Sequence, residues 1–238
     1  MITSRGIKSS CVVLYQGVIS SERCIDEIVA ASEHFNDGVA PTLIGQVIFG
    51  LPVGHRAGDD GSWKQFTFSG KTRTYYSRVA HALAELWKVT GDARYRDGAM
   101  KQLRWVVQQQ TDRGSFRNCS FTEDDMTVLH VIAYTLDGLW KAGEILGEKE
   151  FQEASRCGVA ALARIQKEKG VIAGHYDPEW RATDPARCLT GLAQMAEVWL
   201  LIHRADRNPA FLGAADTAIE FLKQKQIIAV CFNPIFPG

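Results

Sequence analysis

The sequence predicts an all-α protein made of repeated helical hairpins, and two observations carry that prediction. The first is a set of side chains that recur at offsets of 56 and then 60 residues: Tyr95, Phe151 and Phe211; Gly98, Ala154 and Ala214; Val106, Leu162 and Leu222; Gln110, Gln166 and Gln226. Four sets that keep both offsets mark three copies of one structural unit. The second is that apolar residues within each copy return every three or four positions, the period of a helix with one buried face.

Each copy predicts two helices joined by a tight turn. In the first, Val79, Leu83, Leu86 and Trp87 form one stripe, and Thr90-Gly91-Asp92 supplies a helix stop followed by a new N-cap. Tyr95, Ala99, Leu103 and Val106 form the buried face of the next helix, which is expected to end near Gln110 in a Thr111-Asp112-Arg113-Gly114 turn. The second copy gives helices over 131–145 and 151–166, separated by Gly147. The third gives 189–203, then Asn208-Pro209 as cap and first helical residue, then 211–226. Extended chain is expected only over short segments such as 65–68 and 171–176. Hairpins of this kind close elsewhere into an (α/α) toroid, which is the predicted architecture.

The N-terminal region fits less well. Asp59-Asp60-Gly61-Ser62-Trp63 matches Asp112-Arg113-Gly114-Ser115-Phe116 at an offset of 53, as the tail of an earlier hairpin would. The preceding Pro52-Val53-Gly54-His55-Arg56-Ala57-Gly58 cannot be the outer helix of that hairpin, because proline and clustered glycines oppose a helix interior. The expected organisation is a poorly defined segment over 1–40, a hairpin domain over 41–226 and a tail over 227–238. The toroid is expected to be partial, in a chain that is a fragment or carries a deletion, and an unclosed ring leaves an edge for self-association into a homo-oligomer.

Composition narrows the function classes. The 238 residues are 46% hydrophobic and 10% aromatic, enough for a sizeable core. Twenty-seven basic and 27 acidic residues cancel, and no basic run could follow a phosphate backbone, so nucleic acid is not an expected partner. The longest apolar runs, such as 198–202, fall far short of the roughly 20 residues a membrane span needs, and no signal-peptide core follows Met1. A soluble, cytoplasmic protein is expected. Six scattered cysteines show neither a C-x-x-C pair nor zinc spacing, so free buried thiols are expected, with no metal and no cofactor.

The repeat also locates candidate chemistry. Thr74, His130 and Thr190 are equivalent near the starts of the three inner helices, and one turn later Arg78, Tyr134 and Gln194 are equivalent. Each inner helix therefore carries a polar pair at i, i+4, which either lines a wet cavity or satisfies loop backbone groups. His130 is the proton-transfer candidate, with Tyr134 beside it; a structural histidine is the competing reading. His81 and His203 are expected within helix packing. In the loop before the second inner helix lie Glu123, Asp124 and Asp125; Thr122-x-x-Asp125 has the form of a capping box, the favoured reading, and the alternative is one carboxylate, Asp124 or Asp125, as general acid or base. The partner carboxylate would be Asp177, in His175-Tyr176-Asp177-Pro178-Glu179-Trp180-Arg181. There, as at Tyr75, aromatic rings could stack on a sugar while Arg78, Glu179, Arg181 and Gln194 bind hydroxyls or a uronic carboxylate. Alternatively Trp180 anchors a loop held by local ion pairs. Asp184 before Pro185 is expected to cap the third inner helix.

From about Gly45 to Gln226 the sequence resembles a family of bacterial (α/α)-toroid proteins associated with exopolysaccharide gene clusters and compared with six-hairpin glycosidases or the prenyltransferase and squalene-cyclase toroid. The residues carrying the resemblance are Gly45-Gln46-Val47-Ile48-Phe49-Gly50-Leu51, Thr74-Tyr75-Tyr76-Ser77-Arg78-Val79-Ala80, His130-Val131-Ile132-Ala133-Tyr134-Thr135, Tyr176-Asp177-Pro178-Glu179-Trp180 and Cys188-Leu189-Thr190-Gly191-Leu192-Ala193-Gln194. The resemblance implies a carbohydrate-active protein of polysaccharide metabolism, a glycoside hydrolase or polysaccharide lyase working by general acid/base catalysis on an oligo- or polysaccharide. It also implies that His130 and Tyr134 correspond to the His and Tyr pair of lyases on related toroids. A non-catalytic polysaccharide-binding or assembly component is the alternative. Isoprenoid chemistry ranks third: Gln108, Gly114 and Phe116 only weakly echo the squalene-cyclase repeat, and neither its acid motif nor the prenyltransferase zinc ligands are present.

Overall fold

Helix boundaries follow the punctuation of the sequence. The structure, a computed structural model, describes residues 61–62, 70–122, 126–182 and 186–232, the last stretch with side chains to 225. A 3-10 turn over Thr74–Tyr76 leads into α1 (Ser77–Thr90), which ends at Gly91 in the left-handed conformation, with Gly91 N–H bonded to Trp87 O. Asp92 then caps α2 (Ala93–Gln108) by accepting from Arg94 N–H. The second hairpin is α3 (Leu129–Leu146), closed by Gly147, and α4 (Lys149–Lys169), closed by Gly170. The third is α5 (Leu189–Asp206) and α6 (Pro209–Phe232). In place of a glycine, α5 ends on Arg207 at φ 55°.

The first helix of each hairpin is inner. Central α3 packs against both α1 and α5 along its length, and each inner helix packs against its own outer partner. Among the described residues the strand content is one antiparallel pair, β1 (Thr127–Val128) and β2 (His175–Tyr176), with Thr127 opposite Tyr176 and Val128 opposite His175. This pairing ties the loop after α4 to the entrance of α3. The core holds Trp140, Trp199, Phe151 and Leu136, together with the repeat positions Leu162 and Phe211. Fully burying a side chain of this size contributes roughly 1.5–3 kcal/mol, so the repeat positions are main contributors to stability.

The repeat is visible in backbone detail as well. Gly61 and Gly114, matched in sequence at an offset of 53, have φ of 85° and 82°. A Cβ on Gly61 would strike the backbone of Lys101, and one on Gly114 would lie 3.0 Å from the backbone of Cys157; Lys101 and Cys157 are themselves 56 residues apart. Gly61 and Gly114 are thus each pressed against an outer helix, α2 and α4 respectively.

Several local expectations are corrected. Thr122 does not cap the second inner helix, because that helix starts at Leu129 behind β1, with Val128 at the cap position and no side-chain cap bond. Thr122 Oγ1 instead meets Ser120 Oγ at 2.8 Å. The cap of α5 is Cys188, whose Sγ accepts from Gly191 N–H at 3.3 Å, rather than Asp184. Helix α6 continues past 226 to Phe232. Cys119 is buried, but Cys157 is exposed. Residues Glu123, Asp124, Asp125 and Asp184, and the segments 1–60 and 63–69 with their expected partial hairpin, lie outside the described residues.

Candidate functional site on the inner helices

Two glycines allow the inner helices to meet closely, the start of α1 against the middle of α3 and the start of α5 against the start of α3. A Cβ on Gly138 of α3 would lie 2.5 Å from Arg78 N, and one on Gly191 of α5 would lie 2.5 Å from His130 N. Hydrogen bonds lock the first contact: Ser77 Oγ donates to Thr135 O at 3.1 Å, and the Thr74 and Thr135 hydroxyls lie 3.4 Å apart. Thr74 is fully buried in this way.

One turn further along, the half-buried polar side chains of three helices make a continuous chain. The Arg78 guanidinium lies 4.1 Å over the Tyr134 ring, the Tyr134 and His130 rings are 4.3 Å apart, and His130 Nδ1 is 3.1 Å from Gln194 Oε1. A cation over an aromatic face contributes about 0.5–2 kcal/mol, the more the better it is desolvated. In the assigned amide orientation Gln194 presents an acceptor, so Nδ1 carries the proton and Nε2 keeps the lone pair. The geometry therefore offers a base (Nε2), a phenol and a fixed cation side by side.

Beneath this row runs a second one. Asp137, only 4% exposed, lies 3.7 Å from Arg78 Nη1 and 2.7 Å from Lys141 Nζ, and Lys141 reaches Glu197 at 3.2 Å. Burial by itself would lower the Lys141 pKa, but the Asp137 and Glu197 carboxylates together outweigh it and hold the ammonium above its ordinary value. In the first hairpin His81 pairs with Glu85 at 3.4 Å, and the hydrogen bond from His81 holds Glu85 below the usual carboxylate range despite its burial. His81, Asp137 and Glu197 keep the offsets of 56 and 60 residues. The sequence signal for this row was therefore present: extending the repeat comparison one more turn finds it.

The 175–181 loop is arranged differently. Tyr176 is 2% exposed and accepts from Ala173 N–H at 2.8 Å through its hydroxyl. Trp180, 8% exposed with φ 63°, donates from its ring to Arg113 O at 2.7 Å and packs edge-on to Tyr176. Ser115 Oγ donates to Pro178 O across the same joint. Burial would raise the Asp177 carboxyl, yet hydrogen bonds from the Arg181 backbone and guanidinium outweigh this and hold it below the usual range. Arg181 binds Asp177 at 2.6 Å and Glu179 at 3.1 Å. Both rings are thus taken up by packing, and the charges of the loop satisfy one another. Tyr75 stands apart from the inner row, with its ring 4.8 Å from Tyr76 and 5.4 Å from Phe121; burial pushes its hydroxyl pKa up. His203 Nδ1 lies 2.7 Å from Asn208 O at the α5–α6 turn.

Among the described residues no group of three or more His, Cys, Asp or Glu side chains is placed to hold a metal ion, and no helix is long and apolar enough to cross a membrane. No protein-family model matches the chain, nor does any curated protein. Solved structures do. A D-mannose isomerase superposes with a TM-score of 0.58 at 16% identity, covering 83% of this chain and 51% of that one. A polysaccharide lyase gives 0.57 at 14%, covering 84% and 58%, and a glycosyl hydrolase family 88 protein from Bacteroides vulgatus gives 0.58 at 11%, covering 84% and 59%. The fold is an (α/α) toroid. At these identities the likeness establishes the fold alone, and the chain spans between 51% and 59% of the length of these structures.

Proposed function

We propose that the Arg78–Tyr134–His130–Gln194 row binds an oligo- or polysaccharide and that His130 is the proton-transfer residue of a hydrolase- or lyase-type reaction in polysaccharide metabolism. The observation that carries this reading is the convergence of four half-buried polar side chains from three successive inner helices, at 4.1, 4.3 and 3.1 Å. Such a row combines an aromatic edge, hydrogen-bonding groups and a cation, the mixture that recognises hydroxyls and the apolar faces of sugar rings. The three solved structures named above act, by their own names, on a hexose, a polysaccharide and a glycoside. The exopolysaccharide setting and a cytoplasmic location are the finer parts of the same proposal, and they rest on the sequence resemblance and the lack of an apolar span.

In this reading Gln194 fixes the His130 tautomer, Nε2 takes the proton, Tyr134 supplies a phenol on the same side, and Arg78 keeps positive charge where an anion develops. A second reading, a saccharide-binding component without turnover, is favoured by one observation: the Asp177 carboxylate is engaged by Arg181 and by two backbone N–H groups. Purified protein screened against acidic and neutral polysaccharides, with binding and cleavage both recorded, separates the two. Catalysis predicts cleavage that falls about 100-fold or more in His130→Ala, while binding persists. Binding without cleavage, unchanged by His130→Ala, discards catalysis and keeps the binding reading; neither binding nor cleavage discards both.

A further inference from the structure

The outer helices hold a second place of interest, well away from the inner row. In the first hairpin Gln110 spends its side-chain amide on Gly114 O at 3.2 Å and on Ala154 O of the neighbouring outer helix at 2.7 Å, which stitches two repeats together. Its repeat equivalent, Gln166 near the end of α4, is only 3% exposed, yet its Oε1 has no hydrogen-bond partner. Leaving such an acceptor unsatisfied costs about 1–3 kcal/mol, so the position calls for a donor the chain does not supply. Gln166 lines a half-open groove of about 480 Å³ between α4, α6 and the entrance of α5. That volume lies within the range of small-molecule sites, roughly 300–1,000 Å³.

The groove is lined by charged side chains of both signs. Arg187, just before α5, is held in place by its Nη1 donating to Ile172 O at 2.9 Å and by its position over the Phe221 ring at 5.9 Å. The remaining N–H groups of a guanidinium anchored through one nitrogen stay available to an anion. Helix α6 contributes Asp216 and Glu220 one turn apart, and Glu220 is already neutralised by Lys223 at 2.7 Å. Asp216 makes no ion pair among the described residues, although its charge also acts on Lys223. Ile172, Leu192 and Phe221 give the floor an apolar patch. Leu192 and Gln194 are two residues apart on α5, about 200° around the helix, so the groove and the saccharide row lie on opposite faces of the same turn.

We propose that this groove binds a small zwitterion of amino-acid to dipeptide size. Its carboxylate sits on Arg187, its protonated amine pairs with Asp216 beside Gln166, and its apolar body rests on Leu192, Ile172 and Phe221. The site is independent of the saccharide reading, so either can fail without the other.

The test uses the full chain and NMR titration of the Gln166 side-chain amide and the Ile172 and Leu192 methyl groups. The probes are L-phenylalanine, phenethylamine, which has the amine alone, and 3-phenylpropionate, which has the acid alone. The expected result is saturable shifts at these groups with L-phenylalanine bound at least 5-fold more tightly than either analogue, and no shift at His130. Arg187→Gln should bring L-phenylalanine down to the level of phenethylamine, and Asp216→Asn down to that of 3-phenylpropionate. Both positions are exposed, so these variants should fold even if Gln166→Leu does not. Absence of shifts at 10 mM of every probe, or equal affinity for all three, overturns the proposal, as does an advantage for L-phenylalanine that survives both substitutions.

Discussion

The inner row and the 175–181 loop contain nearly the same chemistry, aromatic rings beside Arg and carboxylates, but the structure uses them in opposite ways. In the loop most of the strong groups are closed by a neighbour, Trp180 by Arg113 O, Tyr176 by Ala173 N–H and Asp177 by Arg181, and the exception is the buried His175 Nδ1, which has no partner among the described residues. In the inner row Arg78, Tyr134, His130 and Gln194 touch in sequence and stay partly open. Composition that suits a sugar is therefore no guide to a sugar site. What separates the two regions is whether the partners that satisfy each group belong to the chain or must come from outside it.

The largest test of this contrast is Trp180→Ala. Removing a buried indole should cost about 3–5 kcal/mol in urea unfolding, yet leave saccharide affinity per folded molecule unchanged. Lost affinity with the fold intact would show that the loop belongs to the site. Next in size is Gly138→Ala. Its methyl group would press on the Ser77–Arg78 backbone, so about 1–3 kcal/mol of stability should go, and the row should weaken because α1 is pushed off α3. A substitution that leaves Tm unchanged would mean the inner helices meet less closely than described.

A smaller effect is expected for Arg78→Lys, which keeps the charge but loses the flat stack on Tyr134. Stability should fall by about 0.5–1 kcal/mol, and neutral saccharides should lose less affinity than acidic ones. The smallest concerns pH. The Asp177 carboxyl is held below its ordinary value, so its contacts add stability that is fully present above the unfolded-state pKa near 4 and is lost as pH falls through the lower folded-state value. Asp177→Asn should therefore be less stable than the parent at about pH 6, and the gap should narrow toward pH 3. A gap that is constant with pH would place the interaction in packing rather than charge.

Much of this architecture was legible from spacing. The repeat located all three hairpins, the stops at Gly91 and Gly147, and the caps at Asp92 and Asn208, because helix ends are set by local backbone chemistry that a few residues encode. It also aligned Arg78, Tyr134 and Gln194. The helix over 131–145 was found, but its cap was misread, since Thr122-x-x-Asp125 has the form of a capping box and nothing local announces that β1 intervenes through pairing with a segment about 50 residues later. Asp137, Lys141 and Glu197 were passed over because an acidic residue in a helix usually reads as solvated. Only the neighbouring helices turn Asp137 into a buried hub.

What the sequence determined alone was periodic: three hairpins, which helix of each is inner, and which positions stand level across the repeats, all consequences of short-range geometry repeated at a fixed interval. What tertiary structure alone decided was satisfaction. Gln110 and Gln166 are indistinguishable in the repeat, yet one is bonded to the next helix and the other faces a groove. Whether a polar group is closed or open depends on atoms brought near by packing, and no spacing rule records that distance.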